Sequence, residues 1–552
     1  MLRWHSVIAW ICVGLCLLPM SAVFIASIGD IQAVASLAET VLPRYAATTV
    51  LLCIIVGFFT AVIGTGVAWL VTSTEFPGRR VFEVALALPL TFPAYVLAYA
   101  YTDLLDHPGL VQATLREVTG WGPRDYWFPE IRSLEGAAAM LIFVLYPYVY
   151  LLARAAFLQQ SSTAYLAARA LGSGPWSAFF RVALPIARPA IAGGVLLVLM
   201  ETLADYGTVA YFGVQTLATG IYVSWFGLFD RTAAAQLALC LLMFALVLAT
   251  LEYSQRSNRR FHGAGKRFET MQRLKLSGWS ALGAITFCAL PVILGFLLPT
   301  LLLTSLAWHS GQILFTPRYL GFVEHSVTLA TIAAIITVIA AISVGFNARV
   351  RNSRSSRIAV GVSSIGYAVP GGVIAVGLLV PFAAFDNALD RFMESNFGID
   401  TGLLITGSIW LMVIAYMVRF MAVALNSFDA GLTSLHPNVD AVARTLGHVP
   451  GSMLRRIHLP ILRASILTAS LIVFVDVMKE LPATLILRPF NYDTLAVQAH
   501  RLASDERLTE AAVPSLVIGA VGLLPVILIC LSIGRERQAR MPRGQNAPVG
   551  SV

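Results

Sequence analysis

Charged residues are scarce in this 552-residue chain: 38 Lys and Arg and 29 Asp and Glu make up 12% of it, against 58% hydrophobic residues. A soluble globular domain carries about a quarter charged residues, so that class is excluded. Cysteine is rare too. All six (Cys12, Cys16, Cys53, Cys240, Cys288 and Cys530) fall in apolar stretches without metal-ligand spacing, which argues against a disulfide scaffold or a zinc site. No polar stretch is long enough to form a separate soluble domain. One fragment, Gly263-Ala264-Gly265-Lys266, hints at a phosphate loop. It lacks the upstream glycine and the Ser/Thr that such a cradle needs, so the fragment is not read as a nucleotide site. The formal charge of +9 is spread over alternate loops rather than gathered on one face, which removes nucleic acid as a partner. No histidine pairing suggests a metal site, and His436, His448 and His458 read as solvated or interfacial.

What the chain has in abundance is long apolar runs. About 20 helical residues cross a hydrocarbon layer of about 30 Å. Spans are predicted at about 6–28, 46–72, 81–102, 136–158, 190–212 and 234–253, then at about 277–307, 324–348, 357–385, 402–425, 464–487 and 511–534. The first run is longer than the apolar part of a signal peptide and has no clear small-x-small cleavage site, so it reads as a retained helix. Loop charges set the orientation. Arg79 and Arg80, the stretch Arg154–Arg188, the joint Glu252–Lys275, the arginines 349, 351, 354 and 357, and the tail are all basic. The intervening loops Asp103–Glu135 and Asp386–Asp400 are acid-leaning. Basic loops stay in the cytoplasm, so both termini are expected there.

The chain repeats itself. AYLAARALGSGPWSAFFRVALPIARPAI, residues 164–191, returns without a gap at 439–466 as VDAVARTLGHVPGSMLRRIHLPILRASI, with 12 of 28 positions identical and a shift of 275. Each copy predicts a short helix stopped by Gly172 or Gly447. A second short helix follows in each copy (Ser177–Leu184 and Ser452–Leu459), ended by Leu-Pro. Right after each copy, the fifth span of each half holds ionisable residues: Glu201 and Asp205 in the first half, Asp476, Lys479 and Glu480 in the second. The 275-residue shift pairs Glu201 with Asp476 and Asp205 with Glu480. Their i, i+4 spacing predicts one helix face, at a depth of about 17–22 Å from the entry near Ala190. Carboxyls at that depth are costly and face a polar interior, where they either bind helices together or line a cation path. Gly207 and Pro482 are expected to break these helices, and Pro89, Pro93 and Pro370 to kink two others.

Both repeated loops resemble the EAA loop of ABC importer permeases, whose pattern is Glu-Ala-Ala, three residues, Gly, then nine residues and Ile-x-Leu-Pro. The Gly and Leu-Pro stand in both copies, with Val182 and Ile457 in the Ile place, while Leu166 and Ala441 replace the Glu. The resemblance implies an all-α polytopic membrane protein, about 12 transmembrane helices in two homologous six-helix halves, the type I ABC importer permease. It also implies that Ala168, Arg169, Leu171, Gly172, Leu184 and Pro185, with Ala443, Arg444, Leu446, Gly447, Leu459 and Pro460, couple the chain to an ATPase. Residues 201–228 and 476–512 resemble the fused permeases of ferric iron importers. This second resemblance implies a transport subunit of a bacterial inner membrane, not an enzyme and without a cofactor. Its implied partners are two cytoplasmic ABC ATPase subunits and a periplasmic ferric-iron-binding protein. Fused thiamine permeases share the duplicated plan, and secondary transporters also use repeats and midplane carboxyls. The expected division is a first permease repeat at 1–255 with its coupling loop at 159–190, and a basic linker at 256–276. A second repeat at 277–534 with its loop at 426–463 and a basic tail at 535–552 complete it.

Overall fold

The computed structural model describes residues 2–28, 39–159, 168, 171–172, 174–259, 273–311, 316–351 and 353–539. Arg169, Leu166 and most of the expected linker therefore lie outside the described residues. Eleven described helices are long and apolar enough to cross a membrane, and the pair Arg79–Thr91 and Ala94–Thr119, bent by 91°, supplies a twelfth if taken as one broken span. The chain is helical almost throughout, as its apolar runs require. In hydrocarbon a backbone must bond to itself, and a helix does so within one segment. Hydroxyls inside the spans are satisfied in the same way: Thr60 donates to the Val56 carbonyl at 2.7 Å and Thr202 to that of Val198 at 2.9 Å.

The duplication seen in the loops governs the whole architecture. Helices starting at Leu42, Arg79, Leu134, Pro175 and Leu184 are matched 275 residues on by helices starting at Pro317, Arg354, Ile409, Pro450 and Leu459. The last long helix of each half, Arg231–Arg259 and Leu508–Ala539, is matched at a slightly larger shift. Several expected spans move, the fifth and eleventh to Trp176–Ala204 and Pro450–Met478. The third is bent between Pro89 and Pro93, where two missing backbone donors end one helix and Ala94 starts the next. The ninth begins at Gly371 rather than 357, because Pro370 precedes it and the stretch before it forms the separate helix Arg354–Ser363.

The halves are interlocked. Helix Leu2–Ser27 packs on Gly371–Phe397 and Pro317–Arg351 of the second half, while Leu298–His309 packs on Ala94–Leu105 of the first. One core consequently runs through both, with Leu97, Val144 and Val198 buried beside Val373, Val418 and Val473. One long helix, Leu134–Gln159 or Ile409–Ser434, separates each acid-leaning loop from the repeated loop that follows it, which sets the two kinds of loop at opposite ends of the bundle.

Candidate functional site: a central cavity and two repeated loops

Each fifth long helix ends in the middle of the bundle. Helix Leu184–Ala204 stops before Asp205, whose backbone is extended, and a short helix Gly207–Tyr211 follows. In the second half, Leu459–Met478 stops at Lys479 and Pro482–Leu487 follows. The breaks thus fall ahead of Gly207 and Pro482, which open the next helix instead of closing the first. The two breaks touch: a Cβ on Gly207 would come within 2.9 Å of both Leu481 and Tyr95. Only a glycine admits this approach.

The expected single helix face is not how the acids come together. Asp205 and Glu480 lie beyond the helix ends and turn back onto the short helices. Asp205 accepts from Thr208 Oγ1 at 2.9 Å and the Val209 amide at 3.2 Å. Glu480 accepts from the amides of Ala483 (3.0 Å) and Thr484 (3.1 Å) and from Thr484 Oγ1 (2.8 Å). Each therefore satisfies donors that a helix start leaves without partners. Glu480 also accepts from Arg419 at 3.1 Å, and Asp476 pairs with Lys479 at 2.9 Å. Glu201 accepts from the Tyr367 hydroxyl at 2.6 Å.

All four carboxyls nevertheless line one cavity of about 120 Å³. Its walls also carry Tyr95, Tyr148, Tyr206 and Tyr367, and two cations, Arg419 and Lys479. Arg419 escaped notice in the sequence because it lies far from the acids, in helix Ile409–Ser434. A lone arginine inside an apolar span was the available signal. Tyr95 donates to the Lys479 carbonyl at 3.3 Å and Tyr222 to that of Pro482, so first-half hydroxyls seal the second-half break. Among the described residues no group of three His, Cys, Asp or Glu is arranged to hold a metal ion.

At the loop end the glycine turns stand where expected, but the second short helix does not end as expected. Gly172 and Gly447 both adopt positive φ, +90° and +80°. Around Gly447 the His448 amide reaches the Ala443 carbonyl and the Gly447 amide that of Arg444, both at 3.0 Å, a Schellman stop to helix Pro437–Thr445. The second predicted short helix does not end at Leu-Pro. From Pro175 and from Pro450 the chain runs unbroken into the membrane helix through a π turn, Phe179–Ala183 and Leu454–His458. The wider turn absorbs Pro185 and Pro460, which bring no amide and crowd the preceding turn.

Of the expected coupling residues, Leu171, Gly172, Arg444, Leu446, Gly447 and Pro460 are exposed; Ala168, Leu184, Pro185 and Leu459 are half-buried. Ala443 is buried on Phe346, Met453 and Leu454, so its small side chain serves the chain's own packing. Exposed apolar residues beside the stops, namely Val442, Val449, Trp176 and Phe180, were missed because apolar periodicity there reads as core. His458 corrects the solvated reading: it is fully buried and shares a 2.8 Å hydrogen bond with Asp440. Arg349 donates to Asp440 at 2.7 Å and to the carbonyls of Leu432 and Leu435 at 3.2 Å. Burial alone would raise the Asp440 carboxyl, but hydrogen bonds and charge from Arg349 and His458 hold it below the ordinary carboxylate range. In the first half, Trp69 packs on Phe179 (4.7 Å between rings), past the glycine stop of the repeated loop, and on Phe157 (5.3 Å), just before that loop.

A duplicated helical bundle, two matched loops at one end and a shared polar cavity define a two-half membrane permease. Residues 54–261 and 333–535 match the family of binding-protein-dependent transport system inner membrane components, and the chain belongs to that family. It is 25% identical to an Fe(3+)-transport system permease protein of Haemophilus influenzae, over 88% of this chain and 90% of the relative. It is 24% identical to a probable ABC transporter permease protein of Sinorhizobium fredii, over 97% of this chain and 96% of that one. A ferric transport system permease protein of Actinobacillus pleuropneumoniae is 23% identical, over 85% of this chain and 69% of its own length.

Proposed function

We propose that this chain is the transport subunit of an ATP-driven importer of ferric iron, with the central cavity as its path. The observation that carries the reading is the meeting of Glu201, Asp205, Asp476 and Glu480, two from each half, in one cavity. Carboxyl and phenol oxygens suit a hard trivalent cation. The permease relatives named for iron support the same substrate.

On this reading the loop end faces the cytoplasm, with both termini, and two ATPase subunits dock on the exposed faces around Gly172 and Gly447. A periplasmic binding protein delivers iron at the opposite end. ATP-driven approach of the two docking loops then rocks the halves about the touching breaks at Gly207 and Leu481, opening the cavity to the two sides in turn. Because Asp205 and Glu480 cap the short helices, their first task is to hold the breaks. Glu201, held among the described residues by the Tyr367 hydroxyl, is free to meet the cation.

The test is iron uptake by proteoliposomes holding the permease, its ATPase and its binding protein. Glu201→Gln is expected to slow uptake by about tenfold, a loss of about 1.4 kcal/mol at the barrier, with unchanged protein level and unchanged ATPase stimulation. Normal iron uptake by this variant would take the cavity out of the path. Uptake of thiamine in place of iron would replace the substrate and leave the architecture.

A further inference from the structure

The acids of the cavity obey the duplication; its cations do not. The 275-residue shift sets Ala204 opposite Lys479 and Val144 opposite Arg419, so both positive charges come from the second half. They differ in how firmly they are held. Arg419 is nearly buried, donates to a Glu480 already engaged by two backbone amides, and lies 5.7 Å from the centre of the Phe420 ring. That pair is part of the scaffold. Lys479 and Asp476 are both partly open to the cavity, at 28% and 20% exposure, and are joined by one 2.9 Å contact.

Lys479 also sits at the C-cap of helix Leu459–Met478, past the last helical residue. Its ammonium can swing on a flexible stem without unwinding a turn, and one compact charge is exchanged more easily than a forked guanidinium. We propose that Lys479 is a tethered counter-cation: it neutralises Asp476 between transport events, yields that carboxyl to the incoming substrate cation, and returns to expel it. The inference rests on the cavity being the path. Its chemistry is simple exchange of one ionic partner for another. A trivalent ion between Asp476 and Glu201 would otherwise be bound too firmly for release, since unit charges a few ångströms apart interact strongly away from bulk water. A neighbouring ammonium lowers that affinity and shortens the stay.

Terbium(III), a hard trivalent ion whose emission is sensitised by nearby tyrosines, is the probe, read on the intact permease–ATPase complex in nanodiscs. Tyr148 and Tyr367 stand in the cavity wall as antennae. Lys479→Gln is expected to bind terbium about tenfold more tightly than the parent and to transport iron about tenfold more slowly. Lys479→Arg, which keeps the charge, is expected to bind terbium as weakly as the parent, and adding Asp476→Asn to Lys479→Gln is expected to abolish the gain. A lysine that merely braced the fold would give no gain in terbium affinity, and an unchanged affinity in Lys479→Gln overturns the proposal. Should that variant fail to accumulate, the neutral pair Asp476→Asn with Lys479→Gln and the single Asp476→Asn decide. The single variant, with an uncompensated ammonium, must then bind terbium more weakly than the pair, and equal affinity overturns the proposal. Normal uptake by Glu201→Gln would instead bring down the path reading, and this inference with it.

Discussion

At the scale of single residues, the glycine stops and the cavity acids repeat in both halves, but their consequences differ. A Cβ at position 447 would meet nothing within 4 Å, so the penalty for Gly447→Val is chiefly conformational. Forcing an L-residue into the left-handed region costs about 1–2 kcal/mol, and more for a β-branched one. Gly172→Val combined with Gly447→Val is therefore expected to misdirect both docking helices: the protein inserts at normal levels, ATP hydrolysis continues, and iron uptake falls by about tenfold or more. Parallel assays of hydrolysis and uptake check this. Glu480→Gln should behave unlike Glu201→Gln. It breaks an ion pair buried with Arg419, so its first symptom is a lower amount of protein in the membrane, read by quantitative immunoblot.

Among the helices and loops, the two halves hold the described segments around their repeated loops by different chemistry. The first uses Trp69, Phe157 and Phe179; the second ties helix Pro437–Thr445 to helix Pro317–Arg351 through Arg349, Asp440 and His458. Removing the carboxylate leaves Arg349 without its charged partner. Asp440→Asn is accordingly expected to destabilise the second loop by about 3 kcal/mol while leaving the first intact. Limited proteolysis would then cut selectively near residues 436–450. The sign with pH comes from the lowered Asp440 carboxyl. A carboxyl depressed in the folded state lends stability above its unfolded value, and that contribution fades as pH falls through the folded value. Protease resistance of this loop should thus hold through the neutral range and drop only in acid below the ordinary carboxylate range.

For the whole molecule, orientation is the property that most needs an experiment. With the basic loops inside, Val118→Cys and Phe397→Cys, both well exposed at the end opposite the docking loops, should react with an impermeant maleimide added to intact cells. Leu171→Cys and Leu446→Cys, exposed at the loop end, should react only after the cells are opened. The reverse pattern inverts the protein and with it the direction of transport. Part of the acid bias that sets this orientation is structural. Asp386 is buried and accepts from the amides of Ile405 and Thr406 and from the Thr406 hydroxyl, closing the loop between two spans.

The sequence by itself determined the class, the span count to within the one bent helix, the duplication and its 275-residue register, and the acids that would meet. These are properties of composition and periodicity, which act locally and survive in one dimension. Tertiary structure alone decided that Arg419 and Tyr367 join those acids, since their helices lie far away in sequence. It likewise decided that Asp205 and Glu480 cap short helices instead of sharing a helical face. That outcome hangs on where a helix breaks, and at the break Gly207 comes against Leu481 of the other half, a contact distant in sequence. The burial of Ala443 and His458, and the interlocking of the first helix of each half with the other half, were invisible for the same reason. A residue's neighbours across the bundle are fixed by which helices touch, and no local pattern records that choice.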